Sequence, residues 1–156
     1  MKAIRNRRVL RVLWWGHGFW WRRSGGRIGG NIRGLPVLEL ITTGRTTGQP
    51  RSVLLSFVHH PRGFVVAASN AGADTSPSWW LNLLASPVAE VNMPDGSHAV
   101  VAKELEGAER DDAWTGFADA NPDYTTYAAL TARPIAVVLL AVTARDPGPG
   151  RQERDG

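Results

Sequence analysis

The strongest constraint on the fold is a series of six short runs rich in β-branched and aliphatic residues. Proline- and glycine-containing turn signals separate several of these runs, as at 60–63 and 94–97. The runs do not alternate with helical patterns, so a doubly wound parallel sheet is not expected. The pattern predicts an α+β protein, a small barrel or strongly curved sheet of about six mostly antiparallel strands with flanking short helices. The predicted strands are 37–43, 52–59, 64–69, 88–93, 99–105 and 135–142.

Three helices are predicted among these strands. In the first, Ser76 is the expected N-cap, Pro77 is the first helical residue, and the helix ends near Ala85. The second covers about 108–120 and carries acidic residues at the positive end of its dipole. The third covers 124–130.

Tyr124 and Tyr127 lie three residues apart and so share one face of the third predicted helix. Two phenol hydroxyls on one face either lie over a pocket or cap the edge of the core. The sequence leaves both readings open.

The net positive charge of the chain comes from an N-terminal arm. Residues 1–33 carry nine of the eighteen Lys and Arg residues and no Asp or Glu, whereas the whole chain has fourteen acidic residues. Four of the seven tryptophans lie within a predicted amphipathic helix at 4–23. This helix either packs its tryptophans on the domain or lies on a membrane surface, and the two readings are compatible. Because the remainder of the chain is acidic, no nucleic-acid partner is expected.

The chain is expected to form one folded domain between two flanking segments. Residues 1–34 form the arm and a glycine-rich linker, 35–144 the folded domain, and 145–156 a disordered tail. No run approaches the roughly 18 uninterrupted apolar residues of a membrane-spanning helix. We expect a cytoplasmic location, with peripheral contact to the inner face of the plasma membrane as the alternative. The sequence does not indicate an oligomeric state.

Several kinds of site are excluded or disfavoured by residue type. The chain has no cysteine, which excludes disulfides and thiolate metal sites. His59 and His60 are adjacent, so on a strand they face opposite sides and cannot bind one metal. The nucleophile-elbow, dinucleotide and Walker motifs do not occur. No metal site is predicted.

The loop at 42–51, TTGRTTGQPR, connects the first two predicted strands and is a candidate anion site. Gly44 and Gly48 can adopt positive φ, which lets successive backbone N–H groups point into one concavity. Arg45 and Arg51 add forked cationic donors that suit phosphate or carboxylate. The loop is either an anion-binding site or a polar hairpin tip with solvated arginines.

A second candidate region follows the third predicted strand. Residues 69–73 (SNAGA) offer a hydroxyl and backbone N–H groups in a flexible segment. Trp79 and Trp80 come shortly afterwards on the first predicted helix. Aromatic bulk beside backbone donors suits a flat heterocycle, whereas a tryptophan pair on a short helix also suits a core.

The run from Leu35 to Leu140 resembles the deazaflavin-dependent nitroreductases of actinobacteria, also called F420-dependent quinone reductases. Order and spacing agree over about two-thirds of the chain, and Thr46 stands where the family loop usually has a second base. The matching segments are GRTTGQPR at 44–51, VVAASNAGA at 65–73, PSWWLNLLASP at 77–87, ERDDAW at 109–114, NPDYTTY at 121–127 and LTARPIAVVLL at 130–140.

The resemblance implies a split β-barrel of the FMN-binding kind that holds coenzyme F420 in preference to FMN. The 42–51 loop would hold the phosphate and oligoglutamate tail, and the segments around Asn70 and Trp79 would line the deazaflavin. Tyr124 and Tyr127 would be catalytic residues on the substrate side. The implied cofactor-binding residues are Thr43, Arg45, Thr46, Thr47, Arg51, Val53, Ser69, Asn70, Gly72, Ser78, Trp79 and Asn82.

The expected activity is hydride transfer from reduced F420 to a quinone, a nitroaromatic or another electrophilic small molecule. Two other functions stay open at this point. One is a non-catalytic binder of F420, flavin or haem with the same fold. The other is a membrane-surface interaction protein that acts through the N-terminal arm.

Overall fold

The structure, a computed structural model, describes residues 31–32 and 34–146. The predicted helix at 4–23, most of the linker at 24–34 and the last ten residues of the predicted tail lie outside the described residues. Within the described part, no helix is both long and apolar enough to cross a membrane.

The described part of the chain forms an α+β fold of short elements. The strands are β1 (Asn31–Ile32), β2 (Leu35–Thr43), β3 (Pro50–Ser56), β4 (Val58–His60), β5 (Gly63–Ala67), β6 (Val88–Met93), β7 (Gly96–Glu104) and β8 (Val137–Asp146). The helices are a 3-10 turn (Asn70–Gly72), α1 (Ser78–Ala85), α2 (Gly107–Ala120) and α3 (Asp123–Leu130).

All strand pairs are antiparallel, in the order β1-β2-β6-β7-β8-β5-β4, and β3 pairs with β2. One continuous segment, from β3 to β4, pairs with β2 through its first half and with β5 through its second half. Because β2 and β5 lie toward opposite ends of the sheet, this segment closes the sheet into a barrel. Phe57, fully buried between β3 and β4, donates its N–H to the carbonyl of Pro36 at 3.0 Å. The predicted split β-barrel is confirmed.

Two apolar clusters lie on the two faces of the sheet. Successive residues of a strand point to opposite faces, so Val66 and Leu140 join the cluster that also contains the tryptophans of α1. Their neighbours Val65 and Leu139 join a second cluster with Phe117 of α2 and Tyr124 of α3. Strand β8 is therefore covered on both faces, which explains why its sequence is almost continuously apolar.

The structure corrects the predicted strand count. Eight strands are present in the described part, because the predicted strand at 52–59 is divided at Phe57 and because β1 is an additional strand. Strand β1 places Asn31 and Ile32 in the sheet and not in the linker, and β8 extends to Asp146, two residues into the predicted tail.

The predicted start of the first helix was wrong by one residue. Pro77 is the N-cap, with φ −65° and ψ 146°, and α1 begins at Ser78. The extended ψ of Pro77 keeps it outside the helix, while its carbonyl accepts the N–H of Trp80 at 3.1 Å. Ser76 precedes the cap and does not serve as one.

Candidate functional site

A cavity of about 660 Å³ lies where the tip of the β2–β3 hairpin meets the segment that leads into α1. Strands β2 and β3 pair up to Thr43 and Pro50, so the six residues 44–49 form the hairpin tip. The cavity is lined by Thr42, Gly44, Arg45, Thr46, Thr47, Arg51, Ser52, Val53, Asn70, Thr75, Ser76, Pro77, Ser78, Trp79 and Asn82.

The hairpin tip uses most of its own backbone N–H groups. The Gly44 N–H donates a hydrogen bond to the Gln49 carbonyl at 2.7 Å, and the Gly48 N–H donates to the Gly44 carbonyl at 2.8 Å. The Gln49 N–H donates to the Thr47 hydroxyl at 3.3 Å. Of the two loop glycines, only Gly48 has positive φ, at 70°. The expected concavity of free backbone donors is therefore reduced, and binding capacity rests mainly on side chains.

Asn82 on α1 ties the hairpin to the helix. It is buried, with 3% of its surface exposed. Its Oδ1 accepts hydrogen bonds from the backbone N–H of Arg45 at 3.1 Å and from the Arg45 guanidinium at 2.9 Å. Its Nδ2 donates to the hydroxyl of Thr42 at 3.1 Å. One buried amide therefore fixes both the backbone and the side chain of Arg45.

Arg51 differs from Arg45 in having no side-chain partner among the residues that the structure describes. Its exposed side chain makes no hydrogen bond or ion pair with any residue in 34–143. The cavity lining contains these two arginines and no acidic residue. Two cations without a carboxylate in the cavity lining favour an anionic ligand, and no residue within 34–143 occupies the donors of the Arg51 guanidinium.

The segment from Ser69 to Ala73 forms one edge of the cavity through Asn70. Asn70 and Ala71 have φ values of 44° and 52°, a left-handed conformation that is unusual for residues other than glycine. The Asn70 side-chain amide donates to the carbonyl of Thr75 at 3.0 Å. Strained backbone of this kind tends to lie at functional sites.

Trp79 joins the cavity to the core. It is 6% exposed, lies edge-on to Trp80 at 6.4 Å between ring centroids, and belongs to the core cluster of the barrel. It also lines the cavity. Trp79 is therefore both a core residue and an aromatic surface at a polar site, so both interpretations of the tryptophan pair apply to it.

Nine of the twelve cofactor-binding residues expected from the sequence line this cavity. Thr43, Ser69 and Gly72 do not. Thr42 lines it in place of Thr43, because Thr42 points to the same face of β2 as the inward-facing Leu38 and Leu40. Two further lining residues, Thr42 and Gly44, belong to the predicted anion loop at 42–51. The lining residues that the sequence did not point to are Ser52, Thr75, Ser76 and Pro77.

Gly72 packs against α3 instead of facing the cavity. It is buried with φ 81°, and a Cβ at this position would lie 3.0 Å from Leu130 Cβ and 3.2 Å from Tyr127 Cα. A side chain is excluded by both conformation and space. Gly72 thus brings the Asn70 segment close to the helix that carries the two tyrosines.

Tyr124 and Tyr127 do not line the cavity. Tyr124 is 9% exposed and packs on Phe117 and Trp114, with ring centroids 4.9 Å and 6.1 Å away. Burial raises the pKa of the Tyr124 hydroxyl, an effect opposed in part by its hydrogen bond with Ser56. Tyr127 is half-buried beside it, with ring centroids 5.7 Å apart.

The barrel and its cationic, tryptophan-lined cavity define a split-barrel protein suited to an anionic aromatic coenzyme. The family model of the F420H(2)-dependent quinone reductases matches residues 17–142. An F420H(2)-dependent quinone reductase of Mycobacterium tuberculosis is 38% identical over 124 residues, which cover 77% of this chain and 83% of that relative. The chain belongs to the F420H(2)-dependent quinone reductase family.

Solved structures agree with this assignment. An F420-H2 dependent reductase superposes with a TM-score of 0.61 at 34% identity, covering 67% of this chain and 92% of its own. A second structure, described as a domain-swapped dimer, gives a TM-score of 0.65 at 28% identity and covers 83% of this chain and 98% of its own. The protein is accordingly an oxidoreductase that uses coenzyme F420, as the resemblance implied.

The residues at the cavity fit this coenzyme. A volume of about 660 Å³ lies within the range of roughly 300–1,000 Å³ that is common for ligand and cofactor pockets. Two arginines without a lining acid suit a phosphate and carboxylate tail, and Trp79 supplies apolar surface for a ring system.

Proposed function

We propose that the cavity beside the hairpin tip is the F420 site of this reductase and that a quinone is the substrate. One observation carries the site assignment: nine residues expected from the sequence to contact the coenzyme, drawn from three separate segments, line a single cavity. Arg51 and Arg45 hold the anionic tail, with the Thr46 and Thr47 hydroxyls as further donors. Asn70, Ser78 and Trp79 face the ring system.

The coenzyme, in its reduced form, supplies the hydride, and the protein supplies position and electrostatics. Reduction of a quinone to a hydroquinone also takes up a proton. Tyr124 and Tyr127 close the substrate side, and Tyr124 is the proposed proton donor. The ordinary pKa of a tyrosine is about 10 and burial raises that of Tyr124, so its hydroxyl carries a proton at neutral pH.

The test begins with a fluorescence titration of the full-length protein with F420. We expect saturable binding, followed by anaerobic oxidation of reduced F420 when a menaquinone analogue is added. A nitroaromatic acceptor in a parallel assay measures how far the activity extends beyond quinones. Absence of binding at tens of micromolar F420 would overturn the site assignment. Binding without turnover of either acceptor would favour a non-catalytic binder.

We also propose that residues 1–34 act as an arm that contacts membrane surfaces peripherally. The support is the excess of arginine and the four tryptophans in this part of the sequence. Co-sedimentation with anionic liposomes compares the natural chain with a full-length variant whose arm tryptophans are alanine. The variant should remain in the supernatant while its F420 affinity stays unchanged. Equal pelleting of the two proteins would refute the arm's role.

A further inference from the structure

The left-handed segment at the cavity edge is held by an arginine that does not itself line the cavity. Asn70 and Ala71 both have positive φ, and neither is a glycine. Such a conformation persists only where surrounding contacts over-determine it. The contacts within the segment are two backbone bonds, from the Gly72 N–H to the Ser69 carbonyl at 2.9 Å and from the Ala73 N–H to the Asn70 carbonyl at 3.0 Å.

Arg133 supplies contacts at both ends of this segment. Its guanidinium donates from one terminal nitrogen to the Ala68 carbonyl at 3.1 Å and from the other to the Ser69 carbonyl at 3.0 Å. Its Nε donates to the Ala73 carbonyl at 2.9 Å. The planar guanidinium therefore bridges the residues before and after the left-handed pair with all three of its nitrogens.

Residues next to Arg133 reinforce the same region. The Thr131 hydroxyl donates to the carboxylate of Asp74 at 3.1 Å. Asn70 donates to the Thr75 carbonyl, and Thr75 begins the lining segment that continues through Pro77 into α1. The position of this cavity wall therefore depends on contacts from the chain between α3 and β8.

We propose that Arg133 is a positioning residue of the reductase, whose guanidinium bridges the two ends of the Ser69–Ala73 segment and holds Asn70 at the edge of the coenzyme cavity. The inference rests on the proposed function, because it takes this cavity as the F420 site. Arg133 acts through the segment and does not touch the coenzyme.

Arg133→Lys tests this directly, because lysine keeps the charge and loses the planar three-nitrogen bridge. We expect the F420 dissociation constant and the KM for reduced F420 to rise about tenfold, roughly 1.4 kcal/mol. The KM for the quinone should stay within about twofold of the natural enzyme.

A rescue variant separates positioning from simple stability. Ala71 is exposed, and glycine adopts positive φ without steric cost, so Ala71→Gly should have little effect on F420 binding by the natural chain. In the Arg133→Lys background the same change should recover most of the lost affinity. If the single variant does not fold, the double variant compared with Ala71→Gly alone carries the test.

Arg110→Lys is the matched control. The Arg110 guanidinium also donates to a backbone carbonyl, that of Ile135 at 2.9 Å, and lies over the Trp114 ring, away from the cavity. This variant should unfold at a lower temperature and bind F420 normally. Equal loss of affinity in Arg110→Lys and Arg133→Lys, or the absence of rescue by Ala71→Gly, would reduce Arg133 to a stabilising residue and overturn the inference.

Arg51→Ala in the same titration distinguishes failure of the inference from failure of the proposed function. If Arg51→Ala weakens F420 binding and Arg133→Lys does not, the cavity assignment stands and the Arg133 inference falls. If the natural chain binds F420 and neither variant changes the affinity, the coenzyme lies elsewhere and both fall.

Discussion

The hairpin tip and helix α3 lie on either side of the Ser69–Ala73 segment, and they differ in whether their polar groups are exposed or buried. At the hairpin tip the polar groups are exposed, and one buried amide, that of Asn82, fixes Arg45 from behind. On α3, Tyr124 is itself buried among aromatic rings, and its hydroxyl forms a hydrogen bond with the side chain of Ser56.

This difference separates binding from stability in physical terms. An exposed cation held in place by a buried partner loses little conformational freedom when an anion binds, so its contacts appear as affinity. A buried phenol contributes mainly through the apolar area and ring contacts that it removes from water. We therefore expect substitutions at the hairpin to change F420 affinity and substitutions that remove the Tyr124 ring to change the free energy of unfolding.

The largest effect on affinity is expected for Asn82→Ala. The change leaves Arg45 without the acceptor of two hydrogen bonds and Thr42 without its donor. We expect the F420 dissociation constant to rise about 100-fold, roughly 2.7 kcal/mol, and the free energy of unfolding to fall by about 1–3 kcal/mol. Fluorescence titration and denaturant unfolding measure the two quantities.

Asn92→Ala is the control for Asn82→Ala, because Asn92 is an equally buried amide, 3% exposed, that donates to Glu39 away from the hairpin tip. It should lose comparable stability and keep its affinity for F420. If both variants bind equally poorly, the affinity reports general stability, and the contrast between the two regions fails.

The next largest effect is expected for Arg51→Ala. The Arg51 guanidinium has no hydrogen-bond or ion-pair partner within 34–143, so its removal breaks neither kind of bond there and leaves stability within about 0.5 kcal/mol. F420 should bind about tenfold more weakly, roughly 1.4 kcal/mol, through loss of a charge-assisted contact.

Arg62→Ala provides the comparison for Arg51→Ala. Arg62 is also exposed, and its pairing with Glu109 at 3.2 Å is a surface ion pair of little energetic weight. The Arg62→Ala variant should bind F420 with the same affinity as the natural chain. Equal weakening of binding by both changes would point to a general effect of net charge, and an unchanged affinity in Arg51→Ala would return the hairpin tip to a solvated polar turn.

The hairpin region was predictable because its signals are local. Two β-rich runs, a glycine in the connection and paired arginines all lie within a few residues of one another. The inward parity of Thr42 was also available from the sequence. The charged residue Glu39 lies on the same face of β2 as Thr43, which is the face opposite to that of Leu38, Leu40 and Thr42. Thr42, not Thr43, lines the cavity.

The contacts that organise the cavity were not predictable because they join distant parts of the chain. Asn82 bonds to Thr42 across 40 residues, and Arg133 bonds to Ala68 across 65. No local propensity distinguishes a polar side chain that will hold a loop from one that will remain solvated. The loop glycines show the same limit, because both permit positive φ and only Gly48 adopts it.

The pH dependence of Tyr124 gives the smallest effect and the sharpest test of its burial. The chain contains two tyrosines, so Tyr127→Phe leaves Tyr124 as the only phenol that titrates. Because burial raises its pKa, the ultraviolet absorbance of the phenolate should appear in the folded protein with a midpoint above the ordinary value of about 10. The same variant unfolded in denaturant supplies the reference midpoint.

The sign of the linked stability change follows from this shift. The folded state holds the Tyr124 proton to a higher pH than the unfolded state does, so this contribution to stability is complete below about pH 10 and falls as the pH rises through the folded-state pKa. Tyr124→Phe should remove that alkaline loss and leave stability at neutral pH little changed apart from the Ser56 hydrogen bond. A midpoint in the folded protein at or below the reference would mean that the Tyr124 hydroxyl faces solvent. Helix α3 would then expose its polar group to solvent as the hairpin tip does, and the separation of binding from stability between the two regions would no longer hold.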